Sequence, residues 1–136
     1  MNRVIKFRGK DCTGEWVYGN LEIIRDMCDG KEYESYRIST FHSRHGGSCE
    51  VVKETIGQYT GMRNTQSKEI YEGDVIRLEN CGRGHYDAKV VWYKGNYIIV
   101  PDDDYIDEYS DELLSHYNSD CEIVGNIHDN PELLEC

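Results

Sequence analysis

Five side chains in this sequence are of the types that bind zinc. His42, His45 and Cys49 lie in one short stretch, and Cys81 and His85 form a second pair. Imidazole and thiolate groups are the usual zinc ligands. However, the spacing HxxHxxxC followed by CxxxH matches no common structural zinc site, and the sequence contains no CxxC. We therefore interpret the five as polar loop residues and predict no metal or other cofactor. If a metal is bound, they form the pool of ligands.

A run of carboxylates follows Pro101, with seven Asp and Glu among the twelve residues Pro101–Glu112. Such a run could bind calcium, but it fails the EF-hand pattern, because Asp107 takes the place of the glycine and Leu113 that of the bidentate glutamate. We interpret the run as a solvated acidic loop. Weak binding of a divalent cation and docking of a basic partner are the alternatives. The docking residues would be Asp102, Asp103, Asp104, Asp107 and Glu108.

No local signature of catalysis is present. Nucleophilic catalysis needs a Ser or Cys beside a His base, and the sequence contains no GxSxG, no P-loop and no GxGxxG. The isolated G-x-G at Gly82–Gly84 follows no clear strand and opens no helix, so we interpret it as a turn. We accordingly predict no catalytic residues and a protein that is not an enzyme.

Charge divides the sequence unevenly. Residues 1–100 hold all 15 Lys and Arg together with 14 Asp and Glu, whereas residues 101–136 hold 12 Asp and Glu and no basic residue. A neutral body with an acidic end lacks the basic surface that binds phosphate backbones, so direct binding of nucleic acid is disfavoured. No apolar run is long enough to span a membrane and no signal peptide is visible, so we expect a cytoplasmic protein with six free cysteines.

Alternating apolar residues and turn signals predict an all-β fold, either a barrel or a sandwich. Gly19 predicts a bulge or a close approach of another backbone within its strand. One short helix is predicted at Asp111–Tyr117, with Ser110 as its N-cap, and a final helical turn at Asn130–Glu132. Turns or loops are predicted at Met27–Glu34, His42–Cys49 and Thr60–Lys68. The predicted strands are Val4–Arg8, Trp16–Ile24, Tyr36–Phe41, Glu50–Tyr59 with a break near Lys53, Val75–Glu79, Ala88–Tyr93, Tyr97–Val100 and Glu122–Ile127.

The stretch Thr55–Asp74 connects the two halves of the predicted fold. Its Glu72-Gly73-Asp74 turn launches a strand, and no nucleophile, base or metal ligand converges on it. We interpret the stretch as the joint of a single domain, between an N-terminal β lobe over residues 1–60 and a barrel-like lobe over residues 61–136.

Four ordered motifs resemble the YopX protein family of phages and prophages. They are IKFRGK-(x)3-GEWVYGNL, TIGQYTGMRN, KEIYEGDVI and IVGNIHDNPELL, and they span Ile5 to Leu134. The resemblance implies a mainly β fold with SH3-like barrel character and one or two short C-terminal helices. It implies no catalytic residues, because the function of the family is unassigned. It also implies that the segments around Met27–Val51 and Pro101–Cys121 vary within the family.

The aromatic residues of these motifs are interpreted as packing residues first and as interface residues second. The interface candidates are Trp16, Tyr59 and Tyr71. The leading hypothesis is a small phage or prophage protein that acts through protein–protein contacts, and open strand edges also make a homo-oligomer plausible. The alternatives are an acidic mimic of DNA that inhibits a host DNA-binding protein, an SH3-like module that binds nucleic acid, and a small enzyme or metal-binding protein.

Overall fold

Ten short strands make up most of the regular structure. The computed structural model of the chain describes residues 3–40, 47–79, 82, 84–101, 106–109 and 112–134. Within these residues, five short 3₁₀ turns lie at Lys53–Thr55, Ile106–Tyr109, Leu114–His116, Asn118–Asp120 and Pro131–Leu134. The strands are β1 (Phe7–Lys10), β2 (Trp16–Cys28), β3 (Lys31–Ser39), β4 (Ser48–Glu50), β5 (Gly57–Arg63), β6 (Glu69–Tyr71), β7 (Asp74–Glu79), β8 (His85–Tyr93), β9 (Asn96–Val100) and β10 (Glu122–Asn126).

The strands form two antiparallel sheets, in the orders β4-β3-β2-β1-β5-β6 and β10-β7-β8-β9. The prediction of a mainly β fold is confirmed. The prediction of an SH3-like barrel is not confirmed, because neither sheet closes. In the second sheet, the edge strands β10 and β9 are not paired with each other. Closure into a barrel would require these edges to pair.

The chain divides into two compact units, Met1–Tyr59 and Thr60–Cys136, and the boundary falls within β5. In the first unit, β1 pairs with β2 from Phe7↔Gly19 to Lys10↔Trp16. Gly19 is the predicted point of close approach, because a Cβ atom there would overlap the carbonyl oxygen of Ser39.

A long hairpin replaces the turn predicted at Met27–Glu34. Strands β2 and β3 pair continuously from Asn20↔Ser39 to Cys28↔Lys31, and the turn shrinks to Asp29-Gly30. Both turn residues have positive φ, 51° and 78°, which is the requirement of a two-residue type I′ hairpin turn. The polar residues of this segment therefore lie on strands and are not a loop.

The second unit is built on the sheet of β7 to β10. Its core is a cluster of buried apolar side chains from β6, the sheet and the 3₁₀ segments: Ile70, Ile76, Leu78, Ala88, Val90, Ile99, Leu114 and Cys121. The hairpin of β8 and β9 matches the sequence prediction, with Gly95 at φ +87° in its turn.

The Glu72-Gly73-Asp74 turn is held by backbone groups on both sides. The buried Asp74 accepts the Tyr71 N–H at 2.7 Å through Oδ2. The Gly73 N–H donates to Val90 O, and the Gly73 carbonyl accepts the Ile127 N–H, both at 2.9 Å. The turn thus ties β7 to β8 and to the segment that follows β10.

Two further predictions are wrong in their bounds or type. The loop predicted at Thr60–Lys68 starts at Asn64, because β5 continues to Arg63 and Asn64 Oδ1 accepts the N–H groups of Gln66 and Lys68, each at 3.0 Å. The predicted helix at Asp111–Tyr117 is only a 3₁₀ turn at Leu114–His116, because Leu113 is extended and forms a β-bridge with Ile98. The Ser110 cap lies outside the described residues.

Candidate functional site

The outer part of the β2–β3 hairpin has no neighbouring strand on either side among the described strands. Strand β1 pairs with β2 only as far as Gly19, and β4 pairs with β3 only at Arg37–Ser39. The remaining ribbon, Leu21–Cys28 with Lys31–Ser35, is called the arm below. An isolated two-stranded hairpin is marginally stable in water, so the arm needs either internal support or a covering surface.

Internal support comes from polar contacts across the arm. Arg25 Nε lies 3.1 Å from Glu34 Oε1, on the neighbouring strand, and the hydroxyl of Tyr36 donates to Glu34 Oε2 at 2.5 Å. These hydrogen bonds, that of Tyr36 first, lower the pKa of Glu34. The contacts are exposed to solvent, so each contributes little.

Large apolar side chains of the arm are nevertheless exposed. Ile23 and Met27, on one face, are 50% and 65% exposed. Tyr33 is 48% exposed and pairs with Asp26 in the ladder, which places it on the other face. Three exposed apolar side chains on one two-stranded element make the arm a candidate interaction surface.

A second candidate is a concave surface of the Thr60–Cys136 unit. Two concavities, of about 880 and about 480 Å³, share Tyr86 of β8 and Tyr117 as lining residues. Tyr109 and Pro101 line the smaller one, and the side chain of Ile99, 2% exposed, also lines it. This pair of concavities is called the tyrosine groove below.

Hydrogen bonds fix the wall of the tyrosine groove. The Tyr117 hydroxyl donates to Glu112 Oε2 at 2.5 Å, and this bond, with burial and the charge of Glu112, raises the pKa of Tyr117 to about 12. Glu112 is itself held by its backbone, since its N–H donates to Tyr109 O at 2.9 Å and its carbonyl accepts the Ile99 N–H at 3.0 Å.

Carboxylates outnumber basic groups among the described lining residues of the groove. Glu79, Asp120 and Glu122 line the larger concavity, and Glu112 lines the smaller. Arg77 also lines the larger concavity, but its Nε and Nη2 donate to the Asp87 carboxylate at 2.8 and 3.0 Å. This hydrogen bonding raises the pKa of Arg77 above its usual value. The groove is therefore suited to a cation.

The thiol that lines the larger concavity is buried. Cys121 is 4% exposed, and its Sγ donates to Asn118 O at 3.5 Å. Burial is the main cause that raises the pKa of Cys121 to about 11, so the thiolate is scarce near neutral pH. The larger concavity therefore offers recognition chemistry instead of thiolate chemistry.

The family model described as YopX protein matches residues 6–135. The chain belongs to the YopX family. The family resemblance inferred from the sequence motifs is thereby confirmed.

The crystal structure of protein EF1440 from Enterococcus faecalis is similar over 98% of this chain and 100% of that chain, with a TM-score of 0.54 and 20% sequence identity. At this identity the similarity shows a shared fold alone. No curated protein matches the chain. Within the described part of this YopX family member, no helix combines the length and hydropathy that crossing a membrane requires.

The predicted metal ligands are not brought together in the described part of the chain. His42, His45 and Cys81 lie outside it; Cys49 is half-buried on β4, and His85 is exposed at the start of β8. No group of three His, Cys, Asp or Glu side chains that could hold a metal is found among the described residues. Cys12, Cys28, Cys49 and Cys121 are free thiols, as predicted.

The predicted acidic docking residues fall mostly outside the description. Asp102, Asp103 and Asp104 are not described, Asp107 lies in a 3₁₀ turn, and Glu108 is exposed in the same turn. The DNA-mimic hypothesis that depends on these residues stays a prediction.

The predicted aromatic interface residues occupy packed positions in the YopX fold. Tyr59 and Tyr71 are 6% and 3% exposed, and Tyr71 donates to Glu69 Oε1 at 3.3 Å. Trp16 is half-buried, with the Arg8 guanidinium 4.6 Å from its ring centroid and Lys10 Nζ at 5.3 Å. These positions fit the packing role that was considered first.

Sequence reasoning missed the groove and the part of the arm beyond Ile24. The Asp29-Gly30 dipeptide was the available signal for the arm, because it is a strong hairpin signal. The groove had no local signal, because Tyr86 and Tyr117 are far apart in the sequence.

Proposed function

We propose that this YopX family member is a non-enzymatic protein that acts by binding a partner protein through its arm. The observation that carries the proposal is the exposure of Ile23, Met27 and Tyr33 on a ribbon that no other described strand flanks. Fully burying an exposed side chain of this size contributes roughly 1.5–3 kcal/mol, and because these three are already about half-covered, covering the rest contributes roughly 1–2 kcal/mol each. Three of them on one arm are sufficient for a small group of dominant contacts in an interface.

The faces of the arm, more than its edges, support contact with a different protein. Charged residues such as Arg25, Asp26, Lys31 and Glu32 occur along both strands of the arm. Charges on exposed strands oppose edge-to-edge pairing with another copy. The exposed apolar side chains instead point from the two faces of the ribbon, where a partner can cover them without pairing strands.

The test compares capture of proteins from a lysate of the source cells by three forms of the chain. The arm variant carries Ile23→Ser, Met27→Ser and Tyr33→Ser. The control variant carries Trp92→Ser, which removes a residue that is 53% exposed in the other unit. A photo-reactive residue at Met27 identifies proteins that touch the arm directly.

The expected result is a cross-linked partner that the wild type and the control capture and the arm variant does not. Circular dichroism and thermal unfolding check that all three forms are folded. A folded arm variant that captures the same proteins as the wild type would refute the proposal. Sedimentation of the purified chain separates a partner from self-association, since a dimer dispersed by the arm variant would identify a second copy as the occupant.

A further inference from the structure

We propose that the tyrosine groove binds an arginine side chain in an extended segment of a partner protein. This site lies in the Thr60–Cys136 unit, whereas the arm lies in the Met1–Tyr59 unit. It therefore adds a second contact, of defined chemistry, to the proposed function. Binding at this site can be measured in the arm variant, which lacks the exposed apolar side chains of the arm.

Aromatic rings supply the first part of the recognition. Tyr86, Tyr109 and Tyr117 all line the smaller concavity, with Pro101 beside them. A guanidinium group is planar and stacks on aromatic faces, where cation–π attraction contributes to binding. The methylene groups of the arginine stem can cover the apolar parts of the same rings.

A fixed carboxylate supplies the second part. Oε2 of Glu112 accepts the hydroxyl of Tyr117, and the backbone of Glu112 is bonded to Tyr109 and Ile99. The carboxylate and the ring of Tyr117 are thus held before a ligand arrives, which lowers the entropic cost of binding. Carboxylates bind guanidinium groups through charge-assisted hydrogen bonds, and the planar arrangement of the guanidinium N–H donors makes these bonds directional.

The charge of the larger concavity favours the same ligand. It continues from Tyr86 and Tyr117 past Glu79, Asp120 and Glu122, and the arginine among its described lining residues, Arg77, is already bonded to Asp87. A phosphate or a nucleic acid backbone would meet these carboxylates and be repelled. An extended peptide can place a basic residue in the smaller concavity and run along the larger one.

The test uses three short glycine-serine peptides that are identical except for one central residue. That residue is arginine, lysine or citrulline, so the peptides carry a planar charge, a compact charge, or a planar group without charge. Chemical-shift changes in NMR spectra of the full chain measure the affinity and locate the contact. We expect saturable binding of the arginine peptide, with shifts at Tyr86, Tyr109 and Tyr117, and weaker binding of the other two peptides.

Two matched variants separate the groove from general charge. Glu112→Gln removes the charge but keeps an oxygen that can accept from Tyr117, and it should weaken the arginine peptide about tenfold, as expected for one charge-assisted hydrogen bond. Glu132→Gln removes an exposed charge of the same unit that is not a lining residue of either concavity, and it should leave the affinity for the arginine peptide unchanged.

Two results would overturn the inference. The first is the absence of saturable binding by the arginine peptide. The second is that the arginine and lysine peptides bind with equal affinity and that both variants weaken this binding by the same factor. The arm variant should bind the arginine peptide with the affinity of the wild type. A failure of the proposed arm contact and a failure of the proposed arginine site can therefore be distinguished.

Discussion

Replacing Asp74 by Ala tests whether the Glu72-Gly73-Asp74 turn is a structural joint. Asp74 is 2% exposed, and its carboxylate accepts the N–H of Tyr71, a residue that is 3% exposed. Alanine removes the acceptor and leaves this N–H buried without its acceptor. A hydrogen bond to a charged group contributes about 1.5–3 kcal/mol, so the free energy of unfolding should fall by about 2–3 kcal/mol.

Asp74→Asn is the matched variant. Its side-chain oxygen can still accept the Tyr71 N–H, but without the negative charge, and its loss should be about 1 kcal/mol. Asp120→Ala removes an exposed carboxylate of the same unit and should stay within about 0.5 kcal/mol of the wild type.

Urea unfolding, followed by circular dichroism, measures these differences. With a slope of roughly 1–3 kcal/mol per molar urea, a loss of 2–3 kcal/mol lowers the midpoint by about 0.7–3 M. The reasoning fails if Asp74→Ala unfolds at the wild-type midpoint. It also fails if Asp74→Asn loses as much stability as Asp74→Ala, because the charge, and not the hydrogen bond to Tyr71, would then be what matters.

Two further predictions concern backbone packing and thiol reactivity. Gly19→Ala should cost about 3 kcal/mol in urea unfolding, because the new Cβ overlaps the Ser39 carbonyl. Gly95→Ala, where positive φ is the only obstacle, should cost about 1 kcal/mol, and equal losses would contradict the steric argument. In mildly alkaline iodoacetamide, exposed Cys12 should be alkylated at least about a hundredfold faster than Cys121, whose pKa is about 11. Peptide mass spectrometry measures the alkylation of Cys12 and Cys121, and unfolding in urea should remove the difference between their rates. Equal rates in the folded protein would show that Cys121 is not buried.

Short-range signals predicted much of the sheet structure. The β8–β9 hairpin follows from two apolar runs around Lys94-Gly95-Asn96, and Lys94 and Gly95 of its turn have positive φ, 48° and 87°. β7 and β10 were likewise predicted as short runs of strand-forming residues. A strict alternation is not required of such a run, because Ile98, Ile99 and Val100 of β9 are all buried, as are Val75 and Ile76 of β7.

The outer part of the arm, residues 25–35, was not predicted as strand, because it has neither a buried apolar run nor a face packed on a core. Residues on both of its faces contact solvent, so polar and apolar types need not alternate, and Met27–Glu34 has the composition of a loop. The helix predicted at Asp111–Tyr117 was wrong because a tertiary contact outweighed the local sequence pattern. Leu113 and Tyr117 fit a helical period, but Leu113 bridges Ile98 on β9, and tertiary pairing outweighed the local pattern.

The family motifs and the two proposed contact surfaces occupy different parts of the chain. The motif residues Gly19, Tyr71 and Asp74 are buried at points of close backbone contact. The exposed residues of the arm (Ile23, Met27 and Tyr33) and the groove residues Tyr86, Tyr109, Glu112 and Tyr117 all fall outside the four motifs. A shared frame therefore constrains the backbone without constraining the partner. Proteins with the same motifs are expected to keep the sheets and to bind different partners, because the side chains that would choose the partner are not those that build the frame.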